Sequence, residues 1–191
     1  MNIVGNGGLT RQIIDVIKSF KTYSISRGGE VEGWSTKDRE DEDFPYLVGH
    51  ASMDNLGDRE WTFNKLQDSG KMVGIIISPS ATVSPVARIS EGGVILHGAY
   101  IGPFAHLDVN VLVGTRAIIE HDSNIGRHSI VLTGAIVNGG CNIGCRVMVG
   151  SGAVISNDIT VVDDVRIGAG AVVVKDIMEP GTYVGCPARL I

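Results

Sequence analysis

The stretch GTRAIIEHDSNIGRHSIV, residues 114–131, divides into three hexads, GTRAII, EHDSNI and GRHSIV, each ending on a large aliphatic residue. The same frame extends without a break from residue 78 to residue 173, giving 16 hexads. Every sixth residue from Val83 to Val173 is Val, Ile or Leu, and 12 of the 16 residues two places earlier are Ala, Gly, Ser or Cys. A 3.6-residue helical period does not generate this repeat. On a strand, residues two apart share a face, so the aliphatic and its small neighbour point inward together and a corner must follow. Glycine stands directly after the aliphatic at Gly102, Gly114, Gly126, Gly144, Gly150 and Gly168, which reads as backbone freedom for a tight bend. Three hexads close a triangular coil whose strands pair with the next coil at about 4.8 Å. The expected fold is mainly β: a parallel β-helix of just over five coils in a domain spanning residues 78–191.

Residues 1–77 follow other periods. NIV, GNGG and LTRQIIDVIKSF read as strand, glycine turn and helix, with Leu9, Ile13, Ile17 and Phe20 on one helical face. FPYLVG reads as a second strand, Asp58 as the N-cap of a helix running through Ser69 and stopped by Gly70, and MVGIII as a third strand ending at Pro79. Between the two units, SRGGEVEGWSTKDREDED is polar and charged and reads as a loop. The expectation is a small βαβ, Rossmann-like module set before the β-helix.

Composition narrows the partners. The net charge of -5 argues against a nucleic-acid or anionic-membrane partner, so any phosphate must be held locally. No run of about 20 apolar residues occurs, and the N-terminus lacks the pattern of a secretory signal; the expectation is a cytoplasmic protein. Cys141, Cys145 and Cys186 read as reduced thiols, and a lone C-x3-C lacks the paired spacing of a zinc site.

The hexads resemble those of the hexapeptide-repeat acyltransferases, whose solenoid is left-handed. The ending GAGAVVVKDIMEPGTYVGCPARLI adds the family's closing Gly-x-Pro-Ala-basic segment, here Gly185 to Arg189. Together, VGNGG, DREWTFNKLQDSG, ISPSA and IEHD are similar to the subfamily of sialic acid O-acetyltransferases and nucleotide-4-amino-sugar N-acetyltransferases. The resemblance implies transfer of acetyl from acetyl-CoA, as co-substrate and without a metal, to the amine or hydroxyl of a sugar. That sugar is expected to be a nucleotide-linked amino sugar used in surface-polysaccharide biosynthesis. It also implies a homotrimer with sites between neighbouring helices.

With three hexads to a coil, Pro103, His121, Gly139, Asn157 and Lys175 form one outward column. An imidazole is suited to take a proton from an amine or hydroxyl attacking a thioester. Asp122 would fix its tautomer, and the Gly139 N–H would face the developing oxyanion. The resemblance makes the histidine of this His-acidic pair the base. CoA is then expected along the column, its phosphates near Lys175, roughly 14 to 15 Å away at about 4.8 Å per coil, with backbone around Ala169 lining it. For the sugar or its phosphate the candidates are Gly5, Asn6, Gly7 and Gly8, although GNGG alone is also a simple tight turn. Arg59 reads either as a phosphate contact or as an exposed side chain.

Other readings stay open. The chain could be a sialic-acid-type O-acetyltransferase or a non-catalytic sugar-nucleotide binding protein. Ile130 stands where some family members carry a second histidine. A zinc hydratase of the carbonic-anhydrase kind would use three histidines on the same helix, but His97, His106, His121 and His128 lack its close pair. His97 and His106 read as surface residues, and His128, in a column with Asn110, Arg146 and Asp164, as structural or solvated.

Overall fold

The computed structural model describes residues 2–5, 7–24, 45–49 and 56–191; Asn6 and the charged segment 26–43 lie outside the described residues. From residue 76 onward the chain is a parallel β-solenoid of about six turns. Its short strands stack into three sheets of six, five and eight strands. Asn124–Ile125, for example, pairs in parallel with His106–Leu107 of the coil before and with Asn142–Ile143 of the coil after. Ile95, Ile101, Leu107, Val113 and Ile119, each fully buried, fill the inside of the coil with Ala99, Ala105 and Ala117 between them. Each such aliphatic removed from water contributes roughly 1.5 to 3 kcal/mol.

The corners work differently from the sequence expectation. The left-handed residue is the third after the aliphatic, and eight of these positions are not glycine: Phe104, Asn110, Arg116, Asp122, His128, Arg146, Asp158 and Asp164, all with φ between 53° and 61°. The glycine directly after the aliphatic serves proximity between coils. A Cβ on Gly102 would lie 2.7 Å from the backbone N of His121, and one on Gly126 2.5 Å from the carbonyl carbon of Gly144.

In the N-terminal module, β1 (Asn2–Val4) and β2 (Tyr46–Val48) form a parallel pair, with α1 (Gly8–Ser24) and α2 (Leu56–Asp68) beside them. Asp58 lies within the first turn of α2, which starts at Leu56, so it is not the N-cap that the sequence reading expected. Gly70, at φ +68°, closes the helix with its N–H bonded to the Gln67 carbonyl. The expected third strand is shared. Val73 bridges to Tyr46 of the module, while β3 (Ile76–Ile77) pairs with Val94–Ile95 as the first rung of the eight-stranded sheet. The solenoid thus begins two residues before the boundary read from the hexads.

Helix α1 buries Leu9, Ile13, Val16 and Ile17 against the outer face of that sheet, on Val94, Leu112, Ile130 and Met148. These four recur once per coil, an apolar outward row that the inward repeat does not require. It is what seats the module. Phe20, expected on the same face, lies outside the residues whose side chains are described.

Candidate active site

His121 and Asp122 occupy the corner between Ile118–Ile119 and Asn124–Ile125. Asp122 takes the left-handed position at φ 57°, its N–H bonded to the Pro103 carbonyl of the previous coil at 3.1 Å. The His121 carbonyl accepts from Gly140 N–H of the next coil at 2.9 Å, so the histidine's backbone is clamped from below. Its Nδ1 lies 2.8 Å from Asp122 Oδ2. A carboxylate only accepts, so Nδ1 carries the hydrogen and the ring's lone pair lies on Nε2. The pair is exposed, 56% and 62% by side chain.

The imidazole lies against Gly139. A Cβ there would stand 2.6 Å from both Cε1 and Nε2, so only glycine leaves the ring this position. Gly139 N–H donates to no acceptor among the described residues. One coil further, Asn157 is exposed in the same column. Lys175 is exposed too, but the coil shortens there: Val161 bridges to Ile177, two positions short of a full coil. Ala169 sits on a different corner, between Val165–Ile167 and Val172–Val173, and within one chain it is not brought to His121.

Among the described residues, Gly5 is packed against Gly49, while Gly7 and Gly8 have nothing within 4 Å of an added Cβ, so none of these residues covers the start of α1. Asn6 lies outside the described residues. Arg59 departs from both sequence readings, since it is 0% exposed. Its guanidinium donates to the carbonyls of Val48 at 2.7 Å, Asn110 at 3.2 Å and Gly92 at 3.3 Å. It thereby joins β2 to the first coils instead of reaching a substrate at the surface. Burial pushes its pKa down to about 9, which leaves it charged at neutral pH.

The other histidines are also placed by packing. His128 is 4% exposed. Its Nδ1 accepts from Asn110 Nδ2 at 3.0 Å and its ring meets Phe63 edge-on. Burial lowers its pKa, opposed by Glu60 and assisted by Arg127, Arg59 and Arg146. It lies on another corner from His121. His97 is no free surface residue. Its Nδ1 is 2.7 Å from Ser78 Oγ and 3.1 Å from Ser80 Oγ, and its Nε2 is 3.2 Å from Asp15 Oδ2, tying α1 to the solenoid. His106 is exposed and stacks between Arg88 and Asn124.

Neither a family model nor a curated protein sequence matches the chain. Solved structures do. The acetyltransferase domain of PglB from Neisseria gonorrhoeae FA1090 aligns with a TM-score of 0.87 and 28% identity, covering 100% of this chain and 98% of that one. The same domain in complex with acetyl coenzyme A aligns equally well. PerB from Caulobacter crescentus, solved with CoA and GDP-perosamine, aligns with a TM-score of 0.84 at 24% identity over 100% of this chain and 96% of its own. WeeI from Acinetobacter baumannii AYE shares the fold at 20% identity, covering 100% of this chain and 98% of its own, with a TM-score of 0.62. The chain has the fold of the hexapeptide-repeat sugar acetyltransferases, a parallel solenoid matching the left-handed β-helix.

Proposed function

We propose that this protein is an acetyl-CoA-dependent acetyltransferase acting on the amine of a nucleotide-linked amino sugar, with His121 as general base. The observation that carries the reading is the His121–Asp122 pair, with Nε2 free over Gly139, on a chain that aligns end to end with an acetyltransferase domain solved with acetyl coenzyme A. The acceptor nitrogen attacks the thioester carbonyl while Nε2 takes its proton. The Gly139 N–H supports the oxyanion. Collapse of the tetrahedral intermediate expels the CoA thiolate, which receives the proton from His121. A hydroxyl acceptor would use the same groups. The nucleotide amino sugar bound by PerB makes the amine the first acceptor to test.

In this reading CoA runs from His121 past Gly139 and Asn157 toward Lys175. Ala169, on another corner, would join the same cleft from a neighbouring copy. A homotrimer is supported by the outward row Tyr100, Ile118, Ile136, Val154 and Val172 on the six-stranded sheet, which is apolar and only half-buried in the single chain. The turn at Gly7 and Gly8 would meet the nucleotide part of the acceptor. A cytoplasmic site of action belongs to the same reading, because acetyl-CoA is the donor; among the described residues, no helix is long and apolar enough to cross a membrane.

The test is thiol release from acetyl-CoA against UDP- and GDP-linked amino sugars and free sialic acid, with product masses. A gain of one acetyl group on a nucleotide amino sugar supports the reading. Acetylation of free sialic acid alone would make it an O-acetyltransferase, and CoA binding without any turnover would overturn the catalytic assignment.

A further inference from the structure

The left-handed corner positions of the solenoid are occupied by Gly, Asp, Asn, Arg and His, with one apolar exception, Phe104 at φ 59°. A bulky side chain in this region is strained, and nothing in the coil's own closure calls for one. Phe104 does not fill a core either, being 66% exposed. Between residues 78 and 173 the large hydrophobic residues that are exposed are Val86, at 47%, and Phe104. They lie one coil apart, and Asp122 follows one coil after Phe104, so Val86, Phe104 and Asp122 stack on one corner. Pro85 and Pro103 precede them. The apolar residues of this corner thus occupy the two coils immediately before His121, while the imidazole is turned toward the coil after it, over Gly139.

We propose that Val86 and Phe104 form an apolar ledge that seats the carbon face of the acceptor sugar and presents its nucleophile to His121 from the N-terminal side. The inference rests on the acetyltransferase reading and adds the acceptor's position to it. Donor and acceptor then approach His121 from opposite directions, CoA from the coils toward Lys175 and the sugar from the coils toward the module. A sugar ring has one face of C–H bonds and a rim of hydroxyls. An aromatic ring held out from a corner contacts that face without consuming the rim's hydrogen bonds, in the manner of other aromatic contacts. At one coil's spacing, about 4.8 Å, a six-membered ring resting on Phe104 places a substituent within reach of His121. Phe104 is a positioning residue here and transfers no proton.

The deciding experiment compares wild type, Phe104→Gly and Phe104→Tyr. Binding of GDP-perosamine and of a UDP-linked amino sugar is measured by calorimetry with CoA present, alongside steady-state kinetics, thermal midpoint and sedimentation mass. Glycine relieves the left-handed strain, so the Phe104→Gly midpoint should equal or exceed that of wild type. Its Kd and KM for the acceptor should rise about fivefold or more, with KM for acetyl-CoA unchanged and kcat much less affected. Phe104→Tyr, which keeps the ring, should restore acceptor binding. An unchanged acceptor KM and Kd in Phe104→Gly overturns the ledge and leaves the acetyltransferase reading intact. A lower sedimentation mass in that variant overturns it in favour of a contact between copies. Wild type that binds a nucleotide sugar on Phe104 but never turns it over keeps the ledge and sinks the acetyltransferase reading; wild type that binds neither probe sinks both.

Discussion

His121 and His128 are neighbours on the same coil, and the structure gives them opposite surroundings. His121 stands on an open corner, more than half exposed, with Nδ1 held by Asp122 and Nε2 free. His128 occupies the next corner beneath the module, 4% exposed, with Nδ1 occupied by Asn110 and its ring against Phe63. The two corners share their left-handed backbone, but His121 stands one place before the left-handed residue, Asp122, whereas His128 is itself the left-handed residue of the next corner. Place on the corner and the cover of α2, whose Phe63 meets the His128 ring, together decide which imidazole is left exposed.

The comparison can be broken at several points. The largest effect is expected from His121→Ala, which should lower kcat about 10² to 10⁴-fold, the ordinary contribution of a positioned general base, with the thermal midpoint and CoA affinity unchanged. Equal turnover in the variant would remove His121 from the reaction. Next comes Arg59→Met. It withdraws the donors that join Val48 to Asn110 and Gly92, and urea unfolding should show a loss of about 3 to 5 kcal/mol, the scale for disrupting a buried charged network. A loss below about 1 kcal/mol, no more than an ordinary single hydrogen bond, would mean that Arg59 does not fasten the module to the solenoid.

Gly139→Ala tests the open corner more finely. The added methyl would stand 2.6 Å from the imidazole, so the ring must swing away, and kcat should fall about tenfold or more through misplacement while the fold persists. His128→Ala should do the reverse. Activity per folded molecule is retained, and stability drops by about 1 to 3 kcal/mol from lost packing and the loss of one of the two acceptors of the Asn110 amide, which keeps the Arg59 carbonyl.

The smallest effect is a pH dependence. His128 has a folded pKa below its ordinary 6.5, so the unfolded chain takes up the proton first as pH falls. Stability contributed by the neutral ring is present above about pH 6.5 and is lost as pH drops from there toward the folded pKa, by at most about 1.4 kcal/mol per pH unit. Chemical denaturation between pH 7.5 and 5 should show that decline in wild type and a shallower one in His128→Ala. Parallel curves would place the titrating group elsewhere.

The solenoid could be read from the sequence because its repeat is local. Each hexad carries its own inward pair, and sixteen copies leave no ambiguity of register. His121 was legible for the same reason, as the outward residue of a column whose period was known. The corner chemistry was less so. A glycine after the aliphatic and a left-handed residue two positions later are both turn signals, and only the backbone of the next coil shows that the first is there for proximity. Arg59 could not be placed, because the carbonyls it reaches among the described residues lie 11, 33 and 51 residues away and burial of a charge is a tertiary property. The docking of α1 does leave a trace in the sequence: Val94, Leu112, Ile130 and Met148 come round once per coil on the outward side, which marks the sheet that a helix must cover. His97 follows from that docking, since Asp15 reaches it only once α1 lies on this sheet.

The most direct measurement of the central claim is a crystal structure of the protein with CoA. The account predicts the CoA sulfur beside Nε2 of His121, within about 3 to 4 Å, with the pantetheine arm passing Gly139 and Asn157 and a phosphate near Lys175. A sulfur on another corner, or phosphates remote from Lys175, would contradict it.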